Sequence, residues 1–119
     1  MFLCHYNQNP MILDCPNPFI HSWETQEAET IQGASGFVQI KSLQLGEIRM
    51  RWAEYSPNYE ADHWCDKGHI VHVVSGALIL EHVDQAERVV GPNTTYVVGD
   101  HTSAHKARST IGATVFIVD

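Results

Sequence analysis

From residue 36 onward the chain alternates between apolar and polar positions in short runs. Phe37-Val38-Gln39-Ile40 reads as a strand. After Leu45-Gly46, residues 47–55 alternate cleanly: Ile48, Met50 and Trp52 fall on one face, and Arg49, Arg51, Ala53 and Tyr55 on the other. Ser56-Pro57-Asn58 then supplies turn chemistry. Further strands are predicted over 70–74, 77–82, 87–90, 95–98 and 114–118, punctuated by Gly76, Gly91, Pro92, Gly99 and Gly112. Short strands at this spacing predict an all-β sandwich or barrel rather than a parallel sheet. Residues 1–35 are less regular. Pro10, Pro16 and Pro18 favour loops and edge segments, and residues 24–30 could make a short helical turn but carry no caps. No repeat or low-complexity tract divides the chain, so 1–119 is expected to be a single domain.

The segment Asp62-His63-Trp64-Cys65-Asp66-Lys67-Gly68-His69 concentrates metal-binding residue types. In an extended strand, side chains two apart share a face at about 6.6 Å, which puts His63 beside Cys65. A straight strand would carry His69 about 20 Å from His63. Asp66-Lys67-Gly68 reads instead as a three-residue hairpin loop, with glycine at the left-handed position. Such a loop would set Cys65 opposite His69, with Cβ atoms about 5 Å apart. His63, Cys65 and His69 are thus the candidate metal ligands. Cys65 as a nucleophile with His69 as its base ranks below metal binding, because the other histidines would then have no purpose.

The histidine count strengthens this picture. The chain has 8 histidines, at positions 5, 21, 63, 69, 72, 82, 101 and 105. His5, His21 and His82 are expected to be scattered surface residues. His72 lies three positions after His69, so on a strand it faces the opposite way and is read as packing or interface. Trp64 alternates with His63 and Cys65 and points away from the ion, toward core or a dimer contact. Asp62 is a candidate to orient His63 by accepting a hydrogen bond, or a turn residue. Arg51 and Tyr55 share a face, and Arg51 can hold a carboxylate if that face lines the barrel.

Charge and composition exclude several functions. The formal charge is -7, which disfavours nucleic acid. No run approaches the roughly 18 apolar residues of a membrane span, and the start lacks a signal-peptide pattern, so a cytoplasmic location is expected. Cys4, Cys15 and Cys65 do not form a disulfide framework; a Cys4–Cys15 bridge is disfavoured in a reducing compartment. No serine triad, phosphate loop or paired-carboxylate motif is present.

The spacing of His63, Cys65, His69 and Gly76 resembles the first motif of the cupins, in which His-x-His is followed by Glu and then Gly. Cys65 stands where most cupins have a second histidine, and His69 where they have glutamate. Residues 46–80 and the closing Gly112–Asp119 stretch are similar to a small single-domain subgroup, the DHCW-motif cupins, of poorly defined activity. The second cupin motif is degraded: from Gly91, Val97 replaces the proline and Thr102 replaces the histidine. The fourth ligand is assigned to His105, which opens a new segment after the loop, with His101 as the alternative. The resemblance implies a double-stranded β-helix, a jelly-roll barrel with one divalent transition metal inside. Thiolate and imidazole donors suit Zn, Fe, Ni or Cu rather than Mg or Ca. It also implies a homodimer sharing edge strands and a small polar ligand. The expected function is that of a small metal-binding cupin of undefined activity, with one divalent transition metal in the barrel available to act on a small polar molecule; were it an enzyme, it would be of oxygenase or isomerase type. The alternatives are a non-catalytic ligand- or metal-sensing module and a barrel with a purely structural ion.

Overall fold

A computed structural model describes residues 13–119. The strands are β1 (Glu29–Gln32), β2 (Phe37–Leu45), β3 (Ile48–Tyr55), β4 (Tyr59–Glu60), β5 (His69–Gly76), β6 (Leu78–His82), β7 (Arg88–Val90), β8 (Thr94–Val98), β9 (His105–Ser109) and β10 (Ala113–Val118). No helix occurs among the described residues. The larger sheet runs β1-β2-β3-β10-β5-β8 and the smaller β4-β9-β6-β7, with every pairing antiparallel. The two sheets close on each other as a jelly roll, the expected double-stranded β-helix.

Alternation places the core. Ala113, Val115 and Ile117 of β10 are buried, as are Val71 and Val73 of β5 and Ala53 of β3. Leu78 and Leu80 of β6 and Val90 of β7 meet them from the smaller sheet. Each Val, Leu or Ile among them contributes about 1.5–3 kcal/mol when fully buried. The inward face of β3 is therefore the one carrying Arg49, Arg51, Ala53 and Tyr55, a choice that alternation alone left open.

Several elements differ from expectation. The helical turn over 24–30 is absent: Glu29 and Thr30 lie in β1, paired with Ile40 and Gln39. Strand β2 continues to Leu45 because residues 41–45 pair with β3 across the Gly46-Glu47 turn. Strand β9, His-Lys-Ala-Arg-Ser, is too polar to read as a strand. It forms because β6 lies alongside, pairing Leu80 with Ala107 and His82 with His105.

Gly76 shows why glycine stands between β5 and β6. Its φ is +74°, and an added Cβ would collide with the Gly112 carbonyl oxygen. Gly76→Ala should lower unfolding free energy by at least about 1–2 kcal/mol from the left-handed backbone alone, read by urea denaturation. An unchanged midpoint would contradict this account.

Candidate metal centre

Three side chains converge at one end of the barrel: Cys65, His69 and His105 place their ligand atoms within 4.8 Å of one another. The route differs from the expected hairpin. Cys65 forms an antiparallel bridge with His105, not with His69. Cys65 N donates to His105 O at 2.7 Å, and His105 N donates to Cys65 O at 2.9 Å. His69 arrives from the start of β5, with its Nε2 3.5 Å from Cys65 Sγ. Gly68 is not left-handed. Its Cβ position would press on Val98 O and Asp100 N, so a close backbone approach is what requires glycine there.

Two loops are clasped to make this possible. Asp66 O accepts from His101 N at 2.9 Å, and Asp66 Oδ2 accepts from His101 Nδ1 at 2.6 Å. Gly68 N donates to Asp100 Oδ1 at 2.7 Å. The Asp66 carboxylate raises the pKa of His101. His101 is thus a clasp on the surface, and His105, opening β9, is the histidine that reaches the cluster.

The protonation pattern of the two clustered imidazoles follows from their partners. His105 Nδ1 lies 2.8 Å from Ser103 O, which can only accept, so Nδ1 carries the proton. Its Nε2 is buried and has no hydrogen-bond partner. His69 Nδ1 donates to Asp119 Oδ2 at 2.8 Å, turning its Nε2 toward Cys65. Burial lowers the pKa of His69, outweighing the pull of Asp119 toward the charged form. A thiol and two Nε2 lone pairs, each imidazole anchored through Nδ1, form a donor set suited to Zn, Fe, Ni or Cu.

Asp119 is the residue that sequence reasoning missed. Its side chain is 0% exposed and binds Arg49 Nε at 3.0 Å and Arg51 Nη2 at 2.6 Å as well as His69. Burial alone would raise its pKa; Arg49, Arg51 and His69 together overcome this and hold it below the usual carboxylate range. The available signal was parity: Asp119 shares the inward phase of Ala113, Val115 and Ile117. Nothing in the local pattern connects it to His69, 50 residues away.

The other candidates fall elsewhere. His63 is not in the convergent group: its side chain is 80% exposed and Nδ1 bonds Asp62 Oδ1 at 2.6 Å. Residues 62–64 leave the pairing with β9 between Ala61 and Cys65, so the two-residue face rule does not extend back to His63. Asp62 does meet His63, at the surface. Trp64 is not in the core: its ring is exposed and lies 4.9 Å from Lys106 Nζ. His72 faces outward and bonds Thr95 Oγ1 at 2.9 Å. His82 is not a scattered surface residue, since it bonds Tyr96 Oη at 2.7 Å and its Nδ1 is buried. His21 packs against Trp23, while Cys4 and His5 lie outside the described residues.

The cluster opens onto a cavity of about 360 Å³ between the sheets. Val38, Ile40, Leu78 and Leu80 supply apolar wall; Arg51 and Tyr55 also line it. Arg51 already holds a carboxylate, that of Asp119. Burial, aided by Tyr59, pushes the Tyr55 phenol up to about 12, so it stands as a neutral hydroxyl.

No protein-family model matches the sequence, and no curated protein does. Solved structures do match in fold. A predicted oxalate decarboxylase of Thermotoga maritima superposes with a TM-score of 0.72 at 11% identity, over 84% of this chain and 96% of that one. An RmlC-like cupin of Shewanella frigidimarina gives 0.68 at 18% identity, over 86% and 89%. KdgF of Halomonas sp. gives 0.67 at 16% identity, over 82% and 89%.

Removing the Asp119 carboxylate leaves Arg51 and His69 without their partner. Asp119→Ala should destabilise the fold by about 2–3 kcal/mol. This is below the range for fully buried pairs because Arg49 is partly exposed. A downfield, exchange-protected imidazole N–H resonance should be present in the parent and absent in the variant. Retention of both resonance and stability would show that the carboxylate does not hold His69.

Proposed function

On the cupin fold that the chain shares with these structures, we propose that it holds one divalent transition metal between Cys65, His69 and His105. The adjoining cavity then binds, and acts on, a small polar molecule. The observation that carries this reading is the buried, unpartnered Nε2 of His105 beside Cys65 Sγ and His69 Nε2. An orphaned buried acceptor costs about 1–3 kcal/mol, and an ion at that point removes the cost. Zn, Fe and Ni all accept this donor set.

Three protein donors favour an open site over a structural one, since closed zinc sites are completed by four. When bound, such an ion supplies a Lewis acid that polarises an oxygen or acidifies a coordinated water. The chain's own residues supply the rest. Asp119 and the Ser103 carbonyl hold the two imidazoles in one tautomer. The apolar wall limits water, and Tyr55 offers a neutral hydroxyl donor. Oxygenation and isomerisation are the reaction classes of the catalytic version; a sensing or storage module uses the same site without turnover.

A second reading is favoured by one observation. Cys65, His69 and Asp119 also stand in the order nucleophile, base and orienting carboxylate, with 3.5 Å and 2.8 Å between them. That arrangement has no use for His105, which separates the two.

Elemental analysis of the purified protein should find about one equivalent of metal. His69→Ala and His105→Ala should each weaken metal affinity by more than the roughly 10–100-fold that loss of a supporting hydrogen bond costs. His63→Ala should change it far less. Iodoacetamide should label Cys65 faster after chelation and in His105→Ala. Full metal content in a His69→Ala, His105→Ala double variant would sink the metal reading. Labelling that ignores both chelator and His105→Ala would favour the nucleophile.

The same reading includes a homodimer. Strand β8 is a sheet edge, and its exposed Val97 pairs across to exposed Ile70 on β5, leaving an apolar strip beside unpaired backbone. Light scattering should report twice the chain mass, falling to monomer in Val97→Lys; a monomeric parent removes this element.

A further inference from the structure

Charge is distributed unevenly over this molecule. The chain carries 7 Lys plus Arg against 14 Asp plus Glu. Yet Arg49, Arg51, Lys67 and Lys106 all line the one cavity beside Cys65, His69 and His105, and Asp62 is the only carboxylate that lines it. Asp119 lies behind the wall and neutralises one of the two arginines it binds. Asp62 is directed onto His63 at 2.6 Å. The cavity therefore keeps a positive excess inside a protein whose overall charge is -7.

Three details turn that excess toward a ligand. Arg51 Nε is buried and has no hydrogen-bond partner, so the guanidinium is left with an unused donor. Lys106 Nζ is held 4.9 Å from the Trp64 ring, which restrains a side chain that would otherwise sweep through solvent. The remaining wall is aliphatic, from Val38, Ile40, Val71 and Leu80, and low-dielectric walls focus the field of the cations into the cleft. A fully hydrated inorganic ion gains little from aliphatic wall; an organic anion uses both features. The volume of about 360 Å³ lies at the small end of ligand sites.

We infer that the ligand of this cavity is a small organic carboxylate, recognised through Lys67 and Lys106 at the mouth while its carbon skeleton lies along the aliphatic wall. The inference rests on the reading of the cavity as an open small-molecule site. Arg49 gives Nε and Nη2 to Asp119, and Arg51 gives it Nη2 alone and keeps a buried, unpartnered Nε as a further donor; the two lysines, which make no ion pair among the described residues, are the cations free to pair at the mouth.

The test is calorimetric titration of the full chain, as purified, with malonate and succinate. Their neutral diamides and inorganic phosphate serve as controls, and metal content is read on the same samples. The dicarboxylates should bind, the diamides at least about ten-fold more weakly, and phosphate more weakly than either dicarboxylate. Lys67→Gln with Lys106→Gln should raise the dicarboxylate Kd by roughly ten-fold, the sum of two partly exposed ion pairs. Lys67→Arg with Lys106→Arg should restore it. Diamides binding as well as the acids, phosphate binding better than they do, or indifference to the glutamine pair would each overturn the inference. If metal is present and the dicarboxylates fail to bind, the inference falls while the metal reading stands. If metal is absent and they bind through the lysines, the metal reading falls and the inference stands.

Discussion

A buried carboxylate organises the functional end of this barrel. Asp119 continues the inward phase of β10, and the strands on either side bring Arg49 and Arg51 from β3 and His69 from β5 to meet it. A carboxylate with no exposed surface is tolerable only because cations and an imidazole N–H satisfy it. Once satisfied, it ties three neighbouring strands together and leaves His69 one orientation. The Nε2 of that ring must then look toward Cys65. The geometry of the candidate metal centre thus depends on a residue outside it.

The second constraint is a crossing of two loops. The segment before β5 and the segment before β9 carry no regular strand of their own, and each would be mobile alone. Asp66 and Gly68 on one side and Asp100 and His101 on the other join them through three hydrogen bonds. The joined loops let Cys65 pair with His105 through backbone, and that bridge sets the thiol against the second imidazole. His101 serves the site by holding loops, and His105 serves it by facing inward.

Mixed purposes meet in the cavity. Aliphatic residues that would otherwise complete the core stand next to two arginines and two lysines. A barrel this size could have filled the same volume with side chains and gained stability by it. Keeping it open, with an unpaired Arg51 Nε and an unpaired His105 Nε2 at its wall, leaves polar groups whose partners are not supplied by the chain. Buried polar groups are ordinarily hydrogen-bonded, so these two call for a partner from outside the chain.

What the chain shows by itself is the architecture. The alternation of residues 48–55 and the turn glycines at 76 and 112 read directly as strands and corners, because a pleated strand has a period of two and a left-handed backbone selects glycine. The soft donors Cys65 and His69, and His105 as a further histidine, were also legible from residue type and spacing. The tertiary structure alone decided which donors meet and how. His63 lies two residues from Cys65, yet it faces solvent, since residues 62–64 loop out between the Ala61–Ala107 and Cys65–His105 backbone pairings and the face rule holds only along an unbroken strand. Strand β9 is polar and exists through its neighbour β6; a strand's stability comes from cross-strand partners that its own sequence does not name. Asp119 lies 50 residues from His69, and only sheet order makes them neighbours. Local pattern determines periodicity and turns, whereas convergence of distant side chains is set by register and strand order, which no short window of sequence contains.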